Sequence, residues 1–352
     1  MHMADALVSP AVGGAMWAAT AGTIAYCAKK VRHDLDERKV PLMGVLGAFV
    51  FAAQMINFSI PGTGSSGHLG GGLLLAVLLG PHAAFLTIAS VLVVQALFFA
   101  DGGLLALGCN IFNLGMFPAF VAYPVIYRTI APAGVGQGRI MAASLAAAVA
   151  GLLLGAFAVV LETVFSGISA LPFSSFVLLM QPIHLAIGIV EGLVTAAVVG
   201  FVAKANPEII GVPAQVRAAA GGLGFRQVMA SLLAVAVITG GAVSWFASEN
   251  PDGLEWAIKG VTGRDELEVP KDGVHGTLAT LQEKIAFLPD YSFGKPAGNG
   301  PVSPDVSAHA NPATAPAGDG RLGTSVSGIV GGALTLVMAF VIGFVLRRRT
   351  SS

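Results

Sequence analysis

The sequence predicts an all-α polytopic membrane protein, and three observations support that fold class. Of the 352 residues, 55% are hydrophobic and only 11% are charged, and the mean hydropathy is +0.79. Apolar runs long enough to cross about 30 Å of hydrocarbon recur along the chain. The formal net charge is zero, so no global field attracts nucleic acid. We therefore expect this chain to contact membrane lipid and not to bind nucleic acid.

Eight apolar runs have the length of a transmembrane helix, and a ninth run is shorter. The long runs cover residues 6–28, 41–60, 82–100, 104–127, 138–164, 174–203, 227–247 and 325–346. The ninth run, 68–80, is rich in glycine and indicates a half-length or irregular span, which a membrane tolerates where protein covers the backbone. Nine passes predict that the two ends of the chain lie on opposite sides of the membrane.

The positions of Lys and Arg predict the orientation. With the N-terminus outside and the C-terminus inside, the short external loops carry no Lys or Arg, and most of the 19 basic residues lie inside. Lys29 and Lys30 follow the first apolar run and no basic residue precedes it, which is the reverse of a secretory signal. We therefore expect this run to be retained and the amine of Met1 to be available.

This topology predicts two membrane modules. Residues 1–204 form a seven-span bundle, 205–226 a cytoplasmic linker, and 227–352 a two-span module that encloses an external loop, 248–323. The first part of that loop carries charged and aromatic residues. Its second part, 295–322, consists mainly of Pro, Gly, Ala, Ser and Asn and predicts a disordered tether.

The start of the chain, Met1-His2, is a candidate for metal binding. The amine, the amide nitrogen of residue 2 and Nδ1 of His2 lie close enough along the chain to close two chelate rings. Three coplanar nitrogens leave a position for a second imidazole, and such a set suits Ni(II) or Cu(II) better than zinc or magnesium. On these two residues alone, an ordinary exposed histidine is the stronger interpretation.

His68 is the favoured second imidazole. It lies on the same predicted side as Met1, and its neighbouring glycines allow close approach of another segment. A flexible loop whose histidine caps the next helix is the alternative. Candidates for orienting an imidazole or holding the loops are Asp5, Asn57, Ser66, Asp101 and Asn113. Asp5 as a helix N-terminal acid and Asp101 as a turn residue remain alternatives.

Ionisable and small residues within the spans are further candidates. His184 and Glu191 lie on one face of the seventh span; a buried pair that fixes packing is favoured, with a proton relay or inner metal position as alternatives. Glu162, near an external end, is expected to be solvated. A stripe of small residues suits close contact with another helix, in this chain or in a partner: Gly14, Ala18 and Gly22.

Three stretches of the first module together resemble the CbiM/NikM family. They are the run from Met1 to Pro10, Asn57-Phe58 through His68-Leu69-Gly70-Gly71, and Asp101-Gly102-Gly103 with Asn110-Ile111-Phe112-Asn113. Members of this family are the substrate-capture components of energy-coupling-factor transporters for nickel and cobalt. The resemblance implies that the amine of Met1, the amide of residue 2 and the imidazoles of His2 and His68 hold the metal.

The second module is similar to the N component found with such proteins, so the whole chain resembles a fused NikMN-type protein. The resemblance lies in Pro251-Asp252-Gly253-Leu254-Glu255, an accessory loop that would help load or seat the ion, and in the later stretch Leu288-Pro289-Asp290-Tyr291-Ser292-Phe293. It implies two kinds of partner, a transmembrane coupling subunit (CbiQ/NikQ-like) and ATPase subunits (CbiO/NikO-like). Departures from the family pattern should loosen the N-terminal turn: Met3, Ala4 and Ala6 replace Ile, Pro and Gly.

We expect this chain to capture Ni(II) for ATP-driven uptake across the cytoplasmic membrane, with Co(II) uptake for cobalamin biosynthesis as an alternative. The ion is the transported substrate, and no covalent cofactor is expected. The chain has no phosphate-binding Gly-x-x-x-x-Gly-Lys-Ser/Thr loop, so ATP hydrolysis is assigned to separate subunits and the chain is not an enzyme. The rival classes are a proton-coupled permease that uses His184 and Glu191, and a membrane receptor without transport.

Overall fold

The computed structural model describes residues 2–34, 38–211, 222–264, 267–293 and 317–348, and the fold is mostly helical. Met1, a predicted ligand, lies outside the described residues. The same holds for residues 212–221 of the predicted linker and for most of the predicted tether, 294–316.

The first module is a bundle with a small hairpin at one end. Its helices are α1 Pro10–Asp34, α2 Lys39–Gln54, α3 Gly72–Leu79, α4 Pro81–Phe99, α5 Leu107–Met116, α6 Arg128–Ile130, α7 Gln137–Ser166 and α8 Phe173–Ala205. A π-helical stretch, Phe117–Tyr127, joins α5 to α6, and short 3₁₀ turns cover Asp5–Leu7 and Pro207–Ile210. Strands β1 Phe58–Ile60 and β2 Ser65–Gly67 pair antiparallel, so the all-α prediction missed this hairpin.

The second module contains α9 Phe225–Gly241, α10 Gly253–Thr262, α11 Gly273–Ile285 and α12 Ala317–Arg348, with 3₁₀ turns at Val243–Phe246 and Pro289–Tyr291. Helix α12 begins at Ala317, so the prediction of a tether as far as residue 322 is wrong for its last residues. Helices α10 and α11 show that residues 253–285, in the predicted external loop, are folded.

Five helical stretches in the described part of the chain are long and apolar enough to cross a membrane: Pro81–Phe99, Leu107–Ile130, Gln137–Ser166, Phe173–Ala205 and Arg321–Arg347. Helices α2 and α9 are apolar but shorter. Helix α3 has eight residues and is about 12 Å long, which is too short to cross. The protein is thus a multi-pass membrane protein, and the nine passes and their orientation stay predictions.

Glycines allow close helix contacts both within the second module and between the two modules. A Cβ on Gly328 of α12 would lie 2.2 Å from the carbonyl oxygen of Gly240, so α9 and α12 cross where neither has a side chain. A Cβ on Gly331 would lie 2.0 Å from the ring of Phe51 in α2. The second module therefore packs along α2, and its segment 248–293 also contacts the N-terminal residues.

Candidate metal centre

The N-terminal segment is fixed against the loop between α4 and α5. The backbone N–H of Met3 donates to Asn110 Oδ1 at 2.8 Å, and the N–H of Gly103 donates to the carbonyl of Met3 at 2.9 Å. Asp5 Oδ1 accepts from the N–H of Ala106 at 2.9 Å. The carboxylate of Asp5 thus serves the start of α5 instead of orienting an imidazole, which agrees with the helix N-terminal alternative.

The structure brings the two predicted imidazoles together. The ring centroids of His2 and His68 lie 4.9 Å apart, and the rings are nearly parallel, at 6°. His68 Nδ1 lies 3.0 Å from the carbonyl oxygen of Leu69. Donation by Nδ1–H in a neutral ring leaves the lone pair on Nε2. Both rings are mostly buried, so they face the same protected space.

The orientation of the His2 ring bears on the predicted chelate. Its Nδ1 lies 3.1 Å from Asp101 Oδ1, and its Nε2 is buried without a hydrogen-bond partner among the described residues. Asp101 therefore occupies the nitrogen that the chelate would use. Chelation through Nδ1 requires the ring to turn about its Cβ–Cγ bond, whereas the present orientation is the one in which a carboxylate orients an imidazole that binds through Nε2.

Asp101 follows α4 in a turn that directs its carboxylate inward. Ala100 and Gly102 both adopt the left-handed conformation, with φ of 55° and 83°. Burial opposes ionisation of Asp101, but the neighbouring imidazole of His2 and the hydroxyl of Tyr291 hold its pKa below the usual value. The group is therefore a carboxylate that accepts hydrogen bonds on both oxygens.

The accessory loop docks on the hairpin. Ser66 donates its backbone N–H to the carbonyl of Pro251 at 2.8 Å and its hydroxyl to the carbonyl of Asn250 at 2.8 Å. The loop also starts α10: Asp252 accepts from the N–H groups of Leu254 and Glu255, and Glu255 accepts from the N–H of Asp252. This is a capping box, and its Asp-x-x-Glu spacing was a readable signal for a helix start.

The same loop reaches the bundle beside His68. Asp252 and Gly253 line a cavity of about 10 Å³ together with His68 and His184. A Cβ on Gly253 would lie 2.6 Å from the Ile183 side chain and 3.2 Å from His184 Cε1, so only glycine fits there. The second module thus contacts helix α8 and one predicted ligand at the same point.

Three residues of the segment 248–293 contact the N-terminal residues or the end of α4 and the turn that follows it, and the sequence reasoning missed these contacts. His275 is buried, and its Nε2 lies 2.9 Å from the carbonyl oxygen of Val8. Gln282 donates to the carbonyls of Ala96 and Gly102 at 2.9 and 2.8 Å. Tyr291 donates to Asp101 Oδ2 at 2.5 Å. The sequence signals were the charged and aromatic content of this segment and, for Tyr291, its place in the stretch Leu288–Phe293 that carries the resemblance.

Asn113 and Asn57, both candidates for orienting an imidazole or holding the loops, have different roles in the structure. Asn113 donates to Glu162 Oε2 at 2.7 Å inside the bundle and does not line the cavity at the imidazoles. Glu162 is buried, so the prediction of a solvated carboxylate is wrong. Asn57 does line the cavity, and its carbonyl accepts from the N–H of Ser248 at 2.7 Å.

His184 and Glu191 bind backbone groups instead of each other. His184 Nδ1 lies 2.8 Å from the carbonyl of Met180, and Glu191 Oε2 accepts from the N–H of Gly70 at 2.7 Å. Among the described contacts the two side chains share no hydrogen bond, so the favoured buried pair is not formed. Glu191 instead holds the backbone that follows His68.

A cavity of about 990 Å³ leads to the imidazoles. Its lining includes both rings and six carboxylate side chains: Asp5, Asp101, Glu249, Asp252, Glu255 and Asp290. Within the described ranges no three His, Cys, Asp or Glu side chains form a metal-binding cluster. The donor set predicted for the N-terminus would add the amine of Met1 and the amide nitrogen of residue 2 to these two rings.

Comparison with known proteins identifies the family. The CbiM family model, described as "cobalt uptake substrate-specific transmembrane region", matches residues 2–209, which is more than half of the chain. The chain belongs to the CbiM family. Its second module carries a PDGLE domain, matched over residues 226–348, so the fusion of the two units expected from the sequence is confirmed.

Two fused relatives are similar to this chain over most of its length. A fused nickel transport protein NikMN from Rhodobacter capsulatus is 33% identical over 313 residues, which are 83% of this chain and 88% of that protein. A relative from Archaeoglobus fulgidus that also carries the NikMN designation is 30% identical and covers 97% of this chain and 98% of its own. A crystal structure of a transition metal transporter is 32% identical, with a TM-score of 0.51, and covers 58% of this chain and 93% of its own.

Proposed function

We propose that this protein captures Ni(II) at its external face and delivers it to an energy-coupling-factor transporter in the cytoplasmic membrane. The observation that carries the proposal is the stacking of His2 on His68, with ring centroids 4.9 Å apart at the end of an acidic cavity. Imidazole and amide nitrogens in a planar set favour nickel over oxygen-loving cations. Co(II) is the second candidate substrate, because a relative from Geobacter sulfurreducens is a cobalt transport protein CbiM.

In this proposal His2 and His68 each contribute an imidazole nitrogen, and the amine of Met1 and the amide of residue 2 complete the set. The His2 ring turns so that its Nδ1 joins this set, and Asp101 holds the ring only before the ion binds. Ser66 holds the accessory loop beside the site. The carboxylates of the cavity attract the hydrated cation before it loses water. ATP hydrolysis belongs to separate ATPase subunits, and a transmembrane coupling subunit links them to this chain.

Separate substitutions of His2 and His68 by alanine test the site. Each should lower Ni(II) affinity at least about 100-fold, since truncation removes a donor atom, whereas changes to orienting groups alone cost about 10–100-fold. Affinity is measured by isothermal titration of the purified full chain with Ni(II) and with Co(II). His33→Ala is the matched control, because His33 is exposed in the last turn of α1. Retained affinity in both variants would rule out this site.

The permease alternative receives less support from the geometry. Its proposed relay needs proton exchange between His184 and Glu191, yet each side chain is engaged with a backbone group. Vesicles that contain this chain alone, with a pH gradient and no ATP, distinguish the two mechanisms. Our proposal expects no Ni(II) accumulation until the coupling subunit, the ATPases and ATP are present.

A further inference from the structure

The backbone that follows His68 is held from two sides of the bundle. Glu191 Oε2 on α8 accepts from the N–H of Gly70 at 2.7 Å, and Gln54 Nε2 at the end of α2 donates to the carbonyl oxygen of Gly70 at 2.9 Å. Gln54 is itself held, because its Oε1 accepts from Gln95 Nε2 on α4 at 2.9 Å. All three side chains are buried, so these hydrogen bonds do not compete with bulk water.

The contact of Glu191 reaches the His68 ring through a single peptide group. The N–H of Gly70 and the carbonyl of Leu69 belong to the same planar peptide, and that carbonyl oxygen lies 3.0 Å from His68 Nδ1. Donation by Nδ1–H fixes the ring orientation and places on Nε2 the lone pair that a metal ion requires. The contact is therefore compatible with a His68 that binds the ion through Nε2.

The chain has little room to shift at this point. Gly71 is left-handed, with φ of 77°, and a Cβ there would lie 2.5 Å from Val50 Cγ1. A Cβ on Gly72 would lie 2.3 Å from the carbonyl oxygen of Leu114. The glycines after Gly70 therefore let the neighbouring helices approach closely, and the same close packing restricts movement of the Gly70 peptide.

We propose that three side chains position the His68 imidazole by clamping Gly70: Gln54, Gln95 and Glu191. The clamp fixes the peptide before Gly70, and that peptide directs the ring. This inference rests on the proposed function, since it assumes that His68 binds the ion. It extends the binding site to three helices, α2, α4 and α8, whose relative positions then determine where the His68 ring lies.

Gln54→Met is the direct test, because it keeps a side chain of similar length and removes the amide that holds the Gly70 carbonyl. Loss of an orienting group typically costs about 10–100-fold in metal affinity, and we expect the lower end, about 10-fold, for Ni(II) binding to the full chain. The electron paramagnetic resonance spectrum of bound Cu(II), used as a probe, should also change, since it reports the geometry of the nitrogen ligands. Gln181→Met is the matched control: it removes a glutamine of α8 whose Nε2 donates to the carbonyl of Leu153 at 3.3 Å, and it should change neither readout.

A double-mutant cycle with Cu(II) separates positioning of His68 from a general loss of structure. In His68→Ala the remaining three nitrogens of the predicted set should still bind Cu(II), so affinity stays measurable. If Gln54 acts through His68, Gln54→Met should cause no further loss of affinity in the His68→Ala background. Gln95→Met, which leaves Gln54 in place and removes only its support, provides the same cycle if Gln54→Met does not fold.

An equal loss in both backgrounds would overturn the inference, and so would unchanged affinity and an unchanged Cu(II) spectrum in Gln54→Met alone. Either result leaves the proposed function intact, because that function fails only if His2→Ala and His68→Ala bind Ni(II) as tightly as the wild type.

Discussion

Replacing Gly103 by alanine should displace the N-terminal segment. A Cβ at this position would lie 1.9 Å from Asp5 Oδ1 and 2.5 Å from the backbone nitrogen of Asp5, whereas real Cβ contacts are essentially never under 3.0 Å. The Asp5 carboxylate cannot simply rotate away, because it accepts the N–H of Ala106 at 2.9 Å. The separation must therefore grow by about 1 Å, and the backbone that carries His2 must move.

Overpacking of this kind costs about 1–3 kcal/mol. If the strain falls on the bound arrangement, Ni(II) affinity decreases about 5- to 150-fold, since 1.4 kcal/mol corresponds to a factor of about ten. Isothermal titration of the full chain measures the change. Gly14→Ala is the matched control, because a Cβ there meets nothing within 4 Å. Wild-type affinity in Gly103→Ala would refute the claim that the N-terminal segment is fixed by this contact.

Two further predictions concern the support of the site and the coupling subunit. Glu191→Ala removes the acceptor for the Gly70 N–H, so Ni(II) affinity measured by titration should fall by about 10-fold; normal binding with lost transport would favour the proton relay instead. Gly14→Leu places a large side chain on the stripe formed with Ala18 and Gly22, all exposed in the structure. It should leave Ni(II) affinity unchanged and reduce co-purification with the coupling subunit, and undiminished co-purification would exclude the stripe as the contact surface.

The sequence predicted what depends on local composition. Long apolar runs give the helices of the bundle to within a few residues, because burial in lipid requires such lengths. The proximity of His2 and His68 also followed, since a shared predicted side and a Gly-rich loop permit it. Helix lengths are properties of short windows, so a single sequence is sufficient to predict them.

What the sequence did not give depends on contacts between distant segments. The buried partner of Glu162 is Asn113 on another helix, and the contact of His275 with Val8 joins residues 267 positions apart. The sequence on either side of each of these residues contains no pattern that predicts its distant partner. The same limitation explains why Tyr291 was not associated with Asp101, and why the close approach at Gly103 appears only once the N-terminal segment has been placed.

X-ray absorption at the nickel edge of the loaded full chain tests the central claim most directly. Our account predicts a first coordination sphere of nitrogen atoms only, with outer-sphere scattering from two imidazole rings, and loss of one ring in His68→Ala. A first sphere dominated by oxygen, as expected if the ion is held by the carboxylates of the cavity, would contradict it.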